Sequence, residues 1–162
     1  ALPRVEASGA ELDAVDLAPF KAFVDAPMAM TAHVVYTAWD SRRPATTSPR
    51  VVVDVIRGAV GFKGLLMTDD LSMEALGGPF EERARAAIEA GCDVLLHCNG
   101  DADEMKAVAT NAPMLTGAAL ARAKRAEAAR GAPKALDVAA AQARLDTMLA
   151  SVWTPPAFEA GV

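Results

Sequence analysis

Short, nearly continuous apolar runs alternate along this chain with longer stretches in which apolar residues recur every three or four positions. The runs Met28-Ala29-Met30-Thr31-Ala32-His33-Val34-Val35-Tyr36, Gly64-Leu65-Leu66-Met67-Thr68 and Cys92-Asp93-Val94-Leu95-Leu96-His97-Cys98 suit strands, the first buried on both faces. Between them lie helix signals. Ser8-Gly9-Ala10-Glu11 has the form of a capping box, followed by Leu12, Val15, Phe20, Phe23 and Val24 mostly on one side. Pro19 is expected to kink or split that helix and Pro27 to close it. Ser48 and Pro49 form an N-cap and first-turn pair for a second helix through Val52, Val55 and Ile56, its end bracketed by Gly58 and Gly61. After a hinge-like Gly77-Gly78-Pro79 loop, a third helix is predicted from Phe80 to Ala90, stopping at Gly91. Asp101 and Glu104 are expected to cap a fourth. Beyond Pro113 the alternation stops: 116–130 and 137–153 read as two Ala-rich helices separated at Gly131 and Pro133, with 154–162 as a tail.

Strand, helix, strand, helix implies parallel strands joined by right-handed crossovers. An open doubly wound sheet and a closed eight-stranded barrel both supply that, and both carry chemistry at the carboxyl ends of the strands. Those ends here are His33 to Tyr36, Thr68-Asp69-Asp70 and His97-Cys98-Asn99. Adjacent strand residues point to opposite faces, so one carboxylate of Asp69-Asp70 at most faces a site. The residues alone leave open that both are loop carboxylates, one of them capping the segment Met73-Glu74-Ala75-Leu76.

Composition narrows the classes. With 16 basic and 21 acidic side chains the 162 residues carry a formal charge of −5 and no basic run, which argues against nucleic acid or an anionic membrane as partner. No apolar stretch reaches the roughly 20 residues of a membrane span. Cys92 and Cys98, six apart in one predicted strand, would lie about 20 Å from each other, too far for a disulfide. Two unpaired thiols in an apolar run suit a reducing, cytoplasmic compartment, and both read as small buried hydrophobes. No His, Asp and Glu cluster has metal-ligand spacing, so no metal is expected; the expectation is also of no other cofactor.

Five segments together carry a family resemblance. They are Met30-Thr31-Ala32-His33-Val34-Val35-Tyr36, Pro44-Ala45-Thr46-Thr47-Ser48, Gly61-Phe62-Lys63-Gly64-Leu65-Leu66-Met67-Thr68-Asp69-Asp70-Leu71-Ser72-Met73, and Ala90-Gly91-Cys92-Asp93 with His97-Cys98-Asn99. In register from about Ala1 to Arg130 the chain resembles the family 3 glycoside hydrolases, and within them the bacterial β-N-acetylglucosaminidases (β-hexosaminidases) of peptidoglycan recycling. The resemblance implies a (β/α)8 barrel in which the three strands are the sixth, seventh and eighth, so that 1–153 is the C-terminal half of one barrel domain. It implies that Asp69 is the nucleophile of a retaining exo-hydrolase, attacking the anomeric carbon to form a glycosyl ester that water then hydrolyses. The implied substrate is a muropeptide, N-acetylglucosamine β-1,4-linked to 1,6-anhydro-N-acetylmuramic acid with attached peptide.

The same resemblance places the acid/base, a His paired with an Asp on a mobile loop, and the main sugar-binding residues upstream of the segment matching Leu2-Pro3. The expected partner is therefore the N-terminal half of the same barrel, and the chain alone is expected to be inactive and ordered only beside that half. His33, Met73 and His97 are the candidate substrate-binding residues; each also reads as a packed or hydrogen-bonded wall residue. A rival reading is a doubly wound regulatory or binding module whose Asp69-Asp70 pair holds Mg²⁺ or accepts a phosphoryl group. That reading needs about five strands in one open sheet and a strand-end Lys, whereas Lys63 precedes its strand.

Overall fold

The computed structural model describes residues 2–150. Two compact units emerge, Ala1–Arg130 and Gly131–Val162, divided at the expected Gly131 break. Trp153 and the tail 154–162 lie outside the described residues.

In the first unit two parallel sheets form. β2 (Met28–Met30), β4 (Leu65–Asp70) and β5 (Val94–Leu96) lie in the order β2-β4-β5, while β1 (Arg4–Val5) pairs with β3 (Val35–Tyr36). The single strand expected over 28–36 is therefore two strands in two sheets. The cause is the short turn Ala45–Thr47, whose amides enter the gap: Ala45 donates to the Val34 carbonyl at 2.8 Å and Thr46 to that of Ala32 at 3.3 Å. Thr31 still bonds to Met67 of β4, but by Val35 the chain bonds to Pro3 beside β1. Burial on both faces also fails for β2, where Met28 and Met30 are 43% and 51% exposed.

Helices cover one face of the three-stranded sheet. Ser8 caps α1 (Gly9–Glu11), its hydroxyl accepting from the Glu11 amide. No split falls at Pro19, which lies in the first turn of α2 (Leu17–Ala22), where its missing N–H costs little; the change in pitch comes earlier, as a wide turn over Leu12–Asp16 between α1 and α2. The helix opened by Ser48 and Pro49 also runs wide over Val51–Ala59, its last bond joining the Val60 amide to Val55 five residues back. α3 (Phe80–Ala90) has the bounds read from the sequence and turns off at Gly91, whose φ of +109° a side chain would strain. Asp101 caps α4 (Ala102–Thr110), accepting from the Asp103 and Glu104 amides. α5 (Gly117–Ala128) completes the unit, and α6 (Val138–Ala150) forms the second. Among the described residues no helix is long and apolar enough to cross a membrane.

The main core sits between sheet and helices: Val52, Phe62, Leu66, Ala87, Ala90 and Cys92, with Ala29 packed against it. Ala84, Ala87 and Ala90, all fully buried and three apart, give α3 a smooth face against the sheet. Burying Leu66 completely contributes about 2 kcal/mol. Gly64 is required where the chain enters β4, because a Cβ there would stand 2.5 Å from the Ala26 carbonyl oxygen.

Candidate active site

The register fixes which side chains share a face. Ala29 pairs with Leu66 and both pack on the helix-side core, so Met28, Met30, Leu65 and Met67 line the opposite, inner face; a register shift between Met67 and Asp70, which pair with Val94 and Leu96, ends that alternation before the Asp pair.

The two carboxylates are held differently. Asp70 is saturated: Oδ1 accepts from the Ser72 amide at 2.9 Å and the Cys98 amide at 3.0 Å, and Oδ2 from the Ser72 hydroxyl at 2.6 Å. Burial alone would raise its pKa, but the Ser72 hydroxyl and amide, the Cys98 amide and nearby His97 outweigh it and hold the carboxyl below its ordinary range. Asp69 accepts one bond, to Oδ1 from the Asp70 amide at 2.8 Å. Its Oδ2 accepts none among the described residues, and the side chain is half-buried. One strand end thus carries an organising carboxylate and one with an oxygen available.

His33 is 3% exposed, and both ring nitrogens are engaged, Nδ1 with the Thr46 hydroxyl at 2.8 Å and Nε2 with the Asp70 carbonyl at 2.9 Å. His97 lies on the helix side, its ring edge against Phe80 and Nε2 2.9 Å from Glu104 Oε2, with Nδ1 buried and unpartnered among the described residues. Met73 closes the turn after the Asp pair, its amide donating to the Asp70 carbonyl, and is 44% exposed. The structure therefore brings His33 and Asp69 to the same strand end and leaves Met73 open there, while His97 stands behind the wall between α3 and α4.

Two expectations need correction. Glu104 does not cap α4 with its side chain; that carboxylate takes His97 and the Asn99 amide at 2.6 Å. Cys98 is exposed, because the chain leaves the sheet at Leu96 and turns to give Asp70 its amide. Partial burial and then the Asp70 and Asp69 carboxylates push its thiol up. Cys92 is buried as expected, its thiol pushed up to about 12 by burial first and Asp93 second.

The reading of single residues missed Thr31, Thr46 and Thr68. All three are buried, and Thr68 accepts the Leu96 amide while Thr31 accepts that of Asp69. A hydroxyl inside an apolar run must find a partner when buried, and that was the available signal. Among the described residues no group of three His, Cys, Asp or Glu side chains could hold a metal ion.

Comparison with known proteins gives the geometry its context. Residues 1–128 match the model of the glycosyl hydrolase family 3 N-terminal domain. The β-hexosaminidase of Tolumonas auensis is 45% identical over 105 residues, covering 62% of this chain and 31% of that protein. The β-hexosaminidase of Neisseria meningitidis serogroup C is 45% identical over 102 residues, 60% of this chain and 28% of that protein. This chain thus spans less than a third of the length of these relatives. Among solved structures, a family 3 β-N-acetylglucosaminidase from Paenibacillus superposes with a TM-score of 0.67 at 30% identity, over 85% of this chain and 30% of that one. NagZ from Neisseria gonorrhoeae, in complex with N-trifluoroacetyl-D-glucosamine, gives 0.66 at 35% identity, over 91% and 42%. These matches, and the absence of a single five-stranded sheet among the described residues, set aside the doubly wound regulatory module. With four-fifths of its length matched by the family model, the chain belongs to glycosyl hydrolase family 3.

Proposed function

We propose that this chain supplies the nucleophile side of the active site of a retaining exo-β-N-acetylglucosaminidase, with Asp69 as nucleophile. The observation that carries the reading is the Oδ2 of Asp69, at a strand end and unengaged among the described residues, beside a partner carboxylate with both oxygens engaged. Oδ2 attacks the anomeric carbon as the glycosidic C–O bond breaks and the leaving oxygen takes a proton from a general acid. Water then attacks the glycosyl ester, gives its proton to the same group acting as base, and releases the sugar and Asp69. A carboxylate on a strand is held more accurately than one on a loop.

Neither histidine suits the acid/base role in this reading. His33 has both nitrogens engaged inside the chain, and His97 faces the helices. The proton donor and the main sugar contacts come instead from an N-terminal half that completes the barrel. Two further features support such a half: the exposed inner-face residues Met28 and Met30, and an apolar groove of about 580 Å³ at the open β2 edge, lined by Phe20, Phe23 and Trp39 among others. Met73 lines the sugar site from its exposed position, while His33 stands behind the Asp pair with both nitrogens engaged and His97 faces the helices, so neither touches the sugar. The substrate is a muropeptide with terminal N-acetylglucosamine, in keeping with the sugar analogue carried by the gonococcal structure. The setting is cytoplasmic cell-wall recycling, in keeping with two free thiols.

The test is reconstitution. This chain alone should not hydrolyse an aryl N-acetylglucosaminide, and joined to the N-terminal half it should. Full enzyme rate from the isolated chain would mean that the acid/base has been sought in the wrong place.

A further inference from the structure

Thr31, His33 and Thr46 are 5%, 3% and 0% exposed, and a buried hydroxyl or imidazole without a partner costs free energy that nothing nearby offsets. They solve this together, and their protons can be placed by elimination. The Asp70 carbonyl only accepts, so His33 Nε2, 2.9 Å away, bears the hydrogen. In the tautomer that carries its one proton on Nε2, which the measurement below tests, Nδ1 offers a lone pair to the Thr46 hydroxyl proton at 2.8 Å. The Thr46 oxygen then takes the Thr31 proton at 2.9 Å, and the Thr31 oxygen takes the Asp69 amide proton at 3.3 Å. Every donor is used once, head to tail. The chain of bonds starts on the amide of Asp69 and ends on the carbonyl of Asp70, clasping the main chain of the Asp pair.

We infer that His33, with Thr31 and Thr46, is a positioning device for the nucleophile, fixing the backbone on either side of the Asp69 side chain so that Oδ2 is presented to the anomeric carbon. This inference rests on the reading of Asp69 as nucleophile. The clasp joins the end of β2, the loop after it and the turn Ala45–Thr47 to the end of β4, four segments that it ties together through side chains. Bonds in such a series polarise one another, so losing one weakens the rest. Because the three side chains are buried, breaking the series shifts the nucleophile without removing a contact to the sugar. The loss should therefore fall on kcat and spare KM.

The test uses the assembled enzyme and an aryl N-acetylglucosaminide. Thr46→Val keeps the shape and removes the central hydroxyl, while Thr46→Ser restores it. Thr46→Val should lower kcat by about 10- to 100-fold, the scale of a small misplacement of a reacting group. KM should stay within about twofold and Thr46→Ser should recover most of the rate. An unchanged kcat, a rise in KM alone, or Thr46→Ser as slow as Thr46→Val would each overturn the inference. ¹⁵N chemical shifts of His33 in the unmodified protein supply a readout independent of variant folding: Nε2 should be protonated and Nδ1 bare, and the reverse tautomer would overturn the proton order. An active Asp69→Asn enzyme would instead remove the nucleophile reading while leaving the tautomer result standing.

Discussion

The two ends of the β2-β4-β5 sheet spend their charges differently. Where β4 and β5 begin, Asp93 is 8% exposed and takes Arg122 at 2.7 Å on Oδ1, then Arg57 and the Leu66 amide at 2.8 and 2.9 Å on Oδ2. Arg57 adds bonds to the Phe62 and Gly64 carbonyls, stitching the entrance of β4 to its preceding helix. Burial first, and the Arg122 charge second, pull the Arg57 guanidinium down despite Asp93. Where β4 ends, the order is reversed. The buried groups Thr31, His33 and Thr46 form a hydrogen-bonded series without a carboxylate or guanidinium in it, and the carboxylate in front of them keeps an oxygen free among the described residues. One end is closed and holds the fold together; the other leaves its charge available, which is what chemistry at a strand end requires.

That contrast can be broken at either end. The largest effect belongs to Asp69→Asn, which should lower kcat of the assembled enzyme by about 10⁴-fold, in line with other catalytic carboxylates. Circular dichroism should show the fold unchanged, since the residue makes one side-chain bond. Loss of structure instead would make Asp69 a second stabilising carboxylate and erase the distinction. Asp93→Asn should do the opposite. Leaving two guanidiniums facing an uncharged amide at this buried site should destabilise by about 3 kcal/mol or more, read as a lower denaturant midpoint at unchanged slope.

Asp70 gives a smaller, pH-dependent effect. Its folded-state value lies below the unfolded one of 3.8, so its stabilisation is fully present above about pH 4 and is lost as pH falls through the folded value. For a half-exposed group the amount is on the order of 1 kcal/mol or less. Denaturation midpoints between about pH 7 and 2 should fall less steeply in Asp70→Asn than in the unmodified protein. Equal slopes would show that Asp70 does not organise the loop. The smallest effect concerns the thiols. Maleimide should label exposed Cys98 and not Cys92, and Asp69→Asn should speed Cys98 labelling at about pH 8 by removing one of the charges that raises it. An unchanged rate would mean that the Asp69 carboxylate does not act at the strand mouth.

Much of this was legible in the residues. α3 was marked by Phe80 and Gly91, α4 by Asp101, and the first helix by Ser8, because caps and left-handed termini are local choices with few alternatives. The Asp pair was legible for the same reason, as two charges after an apolar run. What stayed hidden depends on partners distant in sequence. The run 28–36 has no internal signal for its break, which is imposed by amides of Ala45 and Thr46. Arg4–Val5 is too short for any period to show. Glu104 looked like a cap because its spacing from Asp101 fits one, and only the folded chain brings His97 and Asn99 to it. The clasp was invisible likewise: its members lie up to 39 positions apart along the sequence, from Thr31 to Asp70.

Covalent trapping tests the central claim most directly. The assembled enzyme is incubated with a fluorinated N-acetylglucosaminide analogue that forms the glycosyl ester but hydrolyses it slowly, then digested and sequenced by mass spectrometry. The sugar mass should be found on Asp69, in the peptide containing Leu66-Met67-Thr68-Asp69-Asp70. An adduct on Asp70, or none in this segment, would contradict the account.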